Sequence, residues 1–282
     1  MRKLNFRSGV RLLLLVTALM FGALISSSPA SRAGEMETLP GPQLVTNAWM
    51  FIAGFKADPE ALKALLPEGL EPHPDNRVVI NMYTVPNGQE TSGFGAYTLT
   101  YLTVEVADND SYTMGQPTGY PGRYFVYYFN DSPVMRDFTS KIGIPAQPGH
   151  TNISTDTDGN LKAVLSVDGT PLIEATAKVG NVKSGVVGGH LNYFGLLQKQ
   201  KGEYTLNQVV KYPIPWIGSP VSTENAAINF VAPADHPLQD IAPQQVDWAV
   251  WIQGSFVYPQ HQVIHQWLTK DGKKIRPQRL YR

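Results

Sequence analysis

The chain has 282 residues, with 23 Lys and Arg against 23 Asp and Glu and no cysteine at all. The charge balance excludes a polycationic nucleic-acid binder, and the lack of cysteine excludes disulfide staples, thiolate metal sites and thiol nucleophiles. Stability must therefore come from an ordinary apolar core, which 43% hydrophobic residues can supply.

Arg2, Lys3, Arg7 and Arg11 precede an apolar run from Leu12 to Ile25, and small residues follow through Pro29-Ala30-Ser31-Arg32-Ala33. This is the layout of a secretory signal peptide, with an apolar run too short to span a bilayer comfortably. Cleavage is expected after Ala33, with Ala30 as the alternative, so residues 1–33 are set apart from fold reasoning. Five of the 23 basic residues lie in that segment, which leaves 18 basic against 23 acidic residues and a net charge of −5 in the mature chain. Residues 34–282 are expected to form a single domain. Its expected location is the periplasm or the exterior, with no nucleic-acid partner and no stable membrane span after cleavage.

The first element is a short helix. Asp58 is placed to cap it, Pro59 sits at its first position, Leu62, Leu65 and Leu66 form its apolar face, and Pro67 stops it. Strands are then predicted over 78–85, 96–106, 123–129, 161–167, 171–179, 191–198 and 246–258. They are separated by Gly, Pro, Asn and Asp clusters at hairpin-like intervals. Asp156-Thr157-Asp158-Gly159-Asn160 lacks the distal glutamate of a calcium loop and reads as a hairpin turn. A final helix is predicted over 260–270 from Val263, Ile264 and Trp267, with Gly272 just beyond its end. On such a helix His261 and His265 would share a face at zinc-binding spacing. There is no adjacent glutamate and no third ligand, so neither metal nor cofactor is expected. The fold class that follows is mainly β (α+β), an antiparallel β-barrel with a few short helices.

Lys141 stands out in Phe138-Thr139-Ser140-Lys141-Ile142-Gly143-Ile144-Pro145, a lysine set against an apolar, turn-forming run. Two readings are open. Its methylenes can lie on apolar neighbours while the ammonium reaches water, or its amine can be desolvated, lowered in pKa and nucleophilic toward a carbonyl. Glu105 is a second candidate, on the same strand face as Leu99. Its alternative is a solvated strand-end glutamate. Arg136, in Met135-Arg136-Asp137, could meet an anionic substrate or pair with Asp131 or Asp137. Aromatic residues crowd 120–129, and Trp248, Trp251 and Trp267 crowd the C-terminal part. Most read as core filling, yet a pocket with such walls would prefer an apolar or cyclic ligand.

The segment from Phe55 to Pro72 resembles the early helix-and-turn signature of the acetoacetate decarboxylase family. Gly93-Phe94-Gly95-Ala96-Tyr97-Thr98, Tyr128-Phe129-Asn130-Asp131-Ser132-Pro133, Lys141-Ile142-Gly143-Ile144-Pro145 and the run from Tyr258 to Leu268 follow in the family's order. The resemblance covers most of residues 45–270. It implies a β-barrel with an apolar internal pocket, assembled as a homo-oligomer and acting on a small molecule. It also implies a lysine Schiff base supported by a second lysine, a glutamate and an arginine. Carried onto this chain, Lys141 survives from the lysine pair, whereas Ser140, Leu99 and Ala48 stand at the helper positions. Two functions follow. One is an exported lyase acting on a keto acid or other carbonyl compound through an imine on Lys141, by decarboxylation or a related aldol or dehydration step. The other is a catalytically silent barrel that binds a hydrophobic small molecule.

Overall fold

The computed structural model describes residues 42–116, 119–183 and 185–275, so the expected signal segment and its cleavage site lie outside the described residues. In chain order the elements are β1 (Gln43–Lys56), α1 (Pro59–Leu65), β2 (Arg77–Val85), β3 (Tyr97–Val106), β4 (Tyr112–Thr113), β5 (Gly122–Asn130), α2 (Pro133–Lys141), β6 (Ala146–Pro148), β7 (His150–Thr155), β8 (Asn160–Val167), β9 (Thr170–Lys183), β10 (Val187–Lys201), β11 (Tyr204–Phe230), β12 (Gln245–Tyr258), β13 (Gln262–Lys270) and β14 (Lys273–Ile275). The described chain is thus mainly β with two short α-helices, as the sequence leads one to expect. No described helix is long and apolar enough to cross a membrane.

Strand pairing runs β10-β5-β3-β2-β1-β12-β11, and β11 pairs again with β10, which gives the sheet its barrel-like course. The link between β5 and β10 is two residue pairs long and parallel, Tyr193 with Arg123 and Phe194 with Tyr124. β6 also runs parallel to β5. The sheet is therefore mixed rather than wholly antiparallel, because β5 is left by the α2 connection and not by a hairpin alone.

Period-two alternation sends the two faces of these strands into different cores. On one face, Phe51, Phe55, Ile80, Met82, Leu102 and Val104 pack against Leu161, Ala163, Leu165, Ile173 and Ala175 of the β8–β9 hairpin. Leu62 of α1 and Leu238 and Ile241 of a 3₁₀ turn at Pro237–Ile241 join this core. The other face carries Tyr83, Leu99, Tyr101, Phe125, Tyr128, Tyr193 and Tyr258.

α1 forms as read: Asp58 Oδ1 accepts from Ala61 N at 2.9 Å and Pro59 opens the helix. Such a cap contributes about 1 kcal/mol. α2 was not anticipated, although its signal is of the same kind, Ser132 Oγ accepting from Met135 N with Pro133 next in sequence. The predicted helix over 260–270 is instead β13. Its backbone pairs with Thr205–Lys211 of β11, and Asp271 and Gly272, at φ of 50° and 73°, turn the chain into β14. The glycine read as a helix cap is the second residue of an Asp-Gly hairpin turn. A sheet edge, once available, wins over a weak helical pattern. His261 and His265 accordingly share no helical face. His261 packs edge-on to Tyr212, and His265 lies 3.3 Å from Glu68 Oε1.

Candidate functional site

The inner face of the β10-β5-β3-β2-β1-β12-β11 sheet encloses a cavity of about 430 Å³. Alternate residues of each strand line it: Met50 and Ile52 from β1, Asn81 and Tyr83 from β2, Tyr101 from β3, Arg123 and Phe125 from β5. Leu191 and Tyr193 come from β10, Ile214 and Trp216 from β11, and Trp248, Val250, Ile252, Phe256 and Tyr258 from β12. Register places these side by side. Met50 faces Tyr83 and Ile252, Ile52 faces Asn81 and Val250, and Asn81 faces Tyr101. Met114, Tyr120 and Ile217 also line the cavity and are half exposed, which locates its mouth.

The aromatic walls are mutually braced. Phe125 stacks on Tyr193 at 4.9 Å, and Tyr101 lies edge-on to Phe125 at 5.3 Å and to Tyr193 at 6.0 Å. The buried phenols fall into two hydrogen-bonded groups, one around Tyr101 and one around Tyr258. Asn81 Nδ2 donates to Tyr101 Oη, Tyr101 and Tyr193 hydroxyls lie 3.0 Å apart, and Tyr258 meets Tyr128 at 3.4 Å and Tyr83 at 3.5 Å. Burial pushes Tyr83, Tyr97, Tyr101 and Tyr128 well above the usual phenol range and Tyr258 to about 12. These hydroxyls stay protonated at neutral pH and act as hydrogen-bond donors, not bases.

One cation lines the cavity among the described residues, Arg123, which is 4% exposed. It stands directly opposite Glu105 in the β3–β5 ladder, and behind them Arg77 Nη1 donates to Glu105 Oε2 at 2.8 Å. Glu105 Oε1 lies 4.0 Å from Arg123 Nη2, so the carboxylate is committed chiefly to Arg77. Arg77 in turn holds Asp247 at 3.1 Å and Asp75 at 3.3 Å. Burial opposes the charge on both guanidiniums. For Arg77 the carboxylates of Glu105 and Asp247 outweigh it, for Arg123 Tyr193 and Glu105 do so, and both pKa values are raised. His73, Asp75 and Glu105 offer three ligand atoms within 4.8 Å of one another, the geometry of a metal cluster. Arg77 already neutralises both carboxylates, so the set reads as an ion-pair ladder.

The residues singled out from sequence fall in three places. Glu105 is 2% exposed and supports Arg123 from behind; it is not the solvated strand-end group of the alternative reading. Arg136 lies on α2, where its Nη1 donates to Asn130 O at 2.7 Å, beside an open groove that also holds Asp131 and His150. Lys141 ends α2, with its side chain 46% exposed and its Nζ 2.9 Å from Asp137 Oδ2. It is not among the residues lining the aromatic cavity. Of the helper positions, Ala48 and Leu99 are fully buried in the cavity-side core and Ser140 is exposed on α2.

Arg123, Asn81 and Trp216 were missed. The available signal was an arginine inside an otherwise apolar strand, two residues before Phe125 and placed to face an acidic residue on the preceding strand. The aromatic crowding divides between faces. Phe125 and Trp248 line the cavity, whereas Tyr127 stacks with Phe129 and Trp251 with Trp49 on the opposite face.

The family model described as acetoacetate decarboxylase (ADC) matches residues 27–268. A search of curated proteins found no significant match. Among solved structures, an acetoacetate decarboxylase is similar at 17% identity and a TM-score of 0.68, covering 81% of this chain and 91% of its own. The acetoacetate decarboxylase of Legionella pneumophila is similar at 17% identity and a TM-score of 0.66, covering 82% of this chain and 90% of its own. The enduracididine biosynthesis enzyme MppR, complexed with the condensation product of pyruvate and imidazole 4-carboxaldehyde, is similar at 15% identity and a TM-score of 0.60. That match covers 82% of this chain and 92% of MppR.

Proposed function

Starting from the fact that this chain belongs to the acetoacetate decarboxylase family, we propose that its working centre is the aromatic cavity and that it binds an apolar, oxygen-bearing small molecule there without forming a lysine imine. One observation carries the reading. Among the described residues that line the cavity, aromatic and aliphatic side chains dominate and none is a lysine. An imine needs an amine held free of water and within bonding distance of the carbonyl. Lys141 instead presents a half-exposed ammonium 2.9 Å from Asp137 Oδ2, away from the residues that line the cavity. A concave, largely apolar site with a few convergent polar groups is the physical form of a small-molecule binding site.

The proposal includes export, read from the basic, apolar and small-residue layout of residues 1–33, and assembly into a homo-oligomer, as the family resemblance implies. N-terminal sequencing of exported protein should begin at Gly34, and light scattering should give a mass of several chains. For the cavity itself, titration with anilinonaphthalene sulfonate should give a saturable fluorescence gain. Leu191→Trp, which fills the cavity, should suppress it. Carbon dioxide release from acetoacetate should stay at the uncatalysed rate. Release that depends on Lys141, or probe binding indifferent to Leu191→Trp, would overturn the reading.

A further inference from the structure

Four buried side-chain atoms that make no hydrogen bond among the described residues belong to cavity-lining residues: Arg123 Nε, Asn81 Oδ1, Thr113 Oγ1 and Trp216 Nε1. Native proteins rarely leave such atoms unsatisfied, since each costs on the order of a lost hydrogen bond. These four fall at two levels. Arg123 is the ladder partner of Tyr193 on β10, and Asn81 reaches the same level through its bond to Tyr101, whose hydroxyl meets that of Tyr193. Thr113 and Trp216 flank Gly189 of β10 from either side. They are adjacent in sequence to Met114 and Ile217, the exposed residues of the mouth. Four residues of β10 separate the two levels, roughly 13 Å at the rise of an extended strand. Between them the walls are apolar, formed by Leu191, Ile214 and Ile252.

Resting on the reading of the cavity as a binding site, we propose that its ligand is elongated and oxygenated at both ends. An anionic head accepts from Arg123 Nε at the inner level, where the acceptor Asn81 Oδ1 takes no part in holding it, and a hydroxyl or carbonyl accepts from Trp216 Nε1 and Thr113 Oγ1 at the mouth. A small keto acid reaches one level only. The inner level suits an anion because the buried Arg123 Nε makes no hydrogen bond among the described residues, while Glu105 is bonded to Arg77 and lies 4.0 Å from Arg123. The outer level suits a neutral oxygen, because an indole N–H and a hydroxyl offer donors without charge. A chain of about ten carbons between the oxygens spans the two levels.

The test is calorimetric titration of the full mature protein with four matched probes: ω-hydroxydecanoate, decanoate, α,ω-decanediol and decanol. Each satisfied end should tighten binding about tenfold, so the hydroxy acid should bind best and decanol worst. Trp216→Phe keeps an aromatic ring and removes the pyrrole ring with its N–H. It should lower the affinity for the hydroxy acid several-fold toward that for decanoate, with Thr113 Oγ1 still in place, and change decanoate less. Arg123→Gln should erase the preference for acids over alcohols. If it fails to fold, as judged by its thermal transition, the Trp216→Phe comparison decides alone. Equal binding of all four probes would overturn the two-ended ligand while leaving the cavity reading in place. No binding of any probe, together with no response to anilinonaphthalene sulfonate, would overturn both.

Discussion

Arg77→Met removes the cation that holds Glu105. In the native protein Glu105 is 2% exposed and bonded to Arg77 at 2.8 Å, while Arg123 stands 4.0 Å away. The substitution preserves much of the aliphatic bulk but leaves the carboxylate in a dry site with one distant partner. Asp247 loses a 3.1 Å contact and keeps Lys56 at 3.6 Å, so its loss is smaller. Removing one member of a buried ion pair costs about 3–5 kcal/mol, because the remaining charge stays desolvated. For a domain of this size that lowers the melting temperature by roughly 6–20 °C. Urea denaturation followed by circular dichroism measures it. Adding Glu105→Gln should recover most of the loss, since the uncompensated charge is then gone, and the double-mutant cycle isolates the coupling. A loss below about 1 kcal/mol for Arg77→Met, or strict additivity of the two changes, would refute the claim that Glu105 depends on Arg77.

Three further outcomes follow from the same geometry. The buried phenols have pKa values raised above the unfolded value of 10, so the stability they contribute is complete below pH 10 and is lost as pH rises through the folded values, about 12 for Tyr258. Ultraviolet titration should show the exposed tyrosines ionising first and the buried set ionising only together with unfolding. Burial and then Lys199 lower the His261 pKa below 6.5, so NMR titration of its ring should give a midpoint below that value, with the associated stability lost as pH falls through it. Gly54→Ala would bring a Cβ to 2.5 Å from Trp248 Nε1 and 2.7 Å from Arg77 Cδ. It should cost about 1–3 kcal/mol by overpacking and weaken probe binding through displacement of Trp248 from the cavity wall.

How much of this was legible in the sequence depends on whether the deciding interaction is local. α1 was readable because its cap, proline and apolar face lie within ten residues. The strands from β2 to β12 that carry clear alternation were readable for the same reason. β11 was not, since Pro213, Pro215 and Pro220 interrupt its 27 residues, and its partners β9, β10, β12 and β13 supply the order from a distance. β13 was misread because three apolar residues fit a helix as well as a strand until β11 is present to pair with them. At the site, the apolar run around it and then the family likeness drew attention to Lys141, but which strand faces point inward is set by register from strand to strand around the sheet. That register brings Asn81, Tyr101, Arg123 and Tyr193 together from positions more than a hundred residues apart at the extremes. Glu105 was found by its face, and its partners Arg77 and Arg123 could be named only from the fold.

Whether Lys141 forms an imine is read by borohydride reduction in the presence of acetoacetate or pyruvate, followed by intact-protein and peptide mass spectrometry. With Lys141 outside the cavity, every lysine, Lys141 included, should keep its unmodified mass. A reduced adduct on Lys141 that is absent from Lys141→Ala would contradict it and return the imine to the centre of this protein's chemistry.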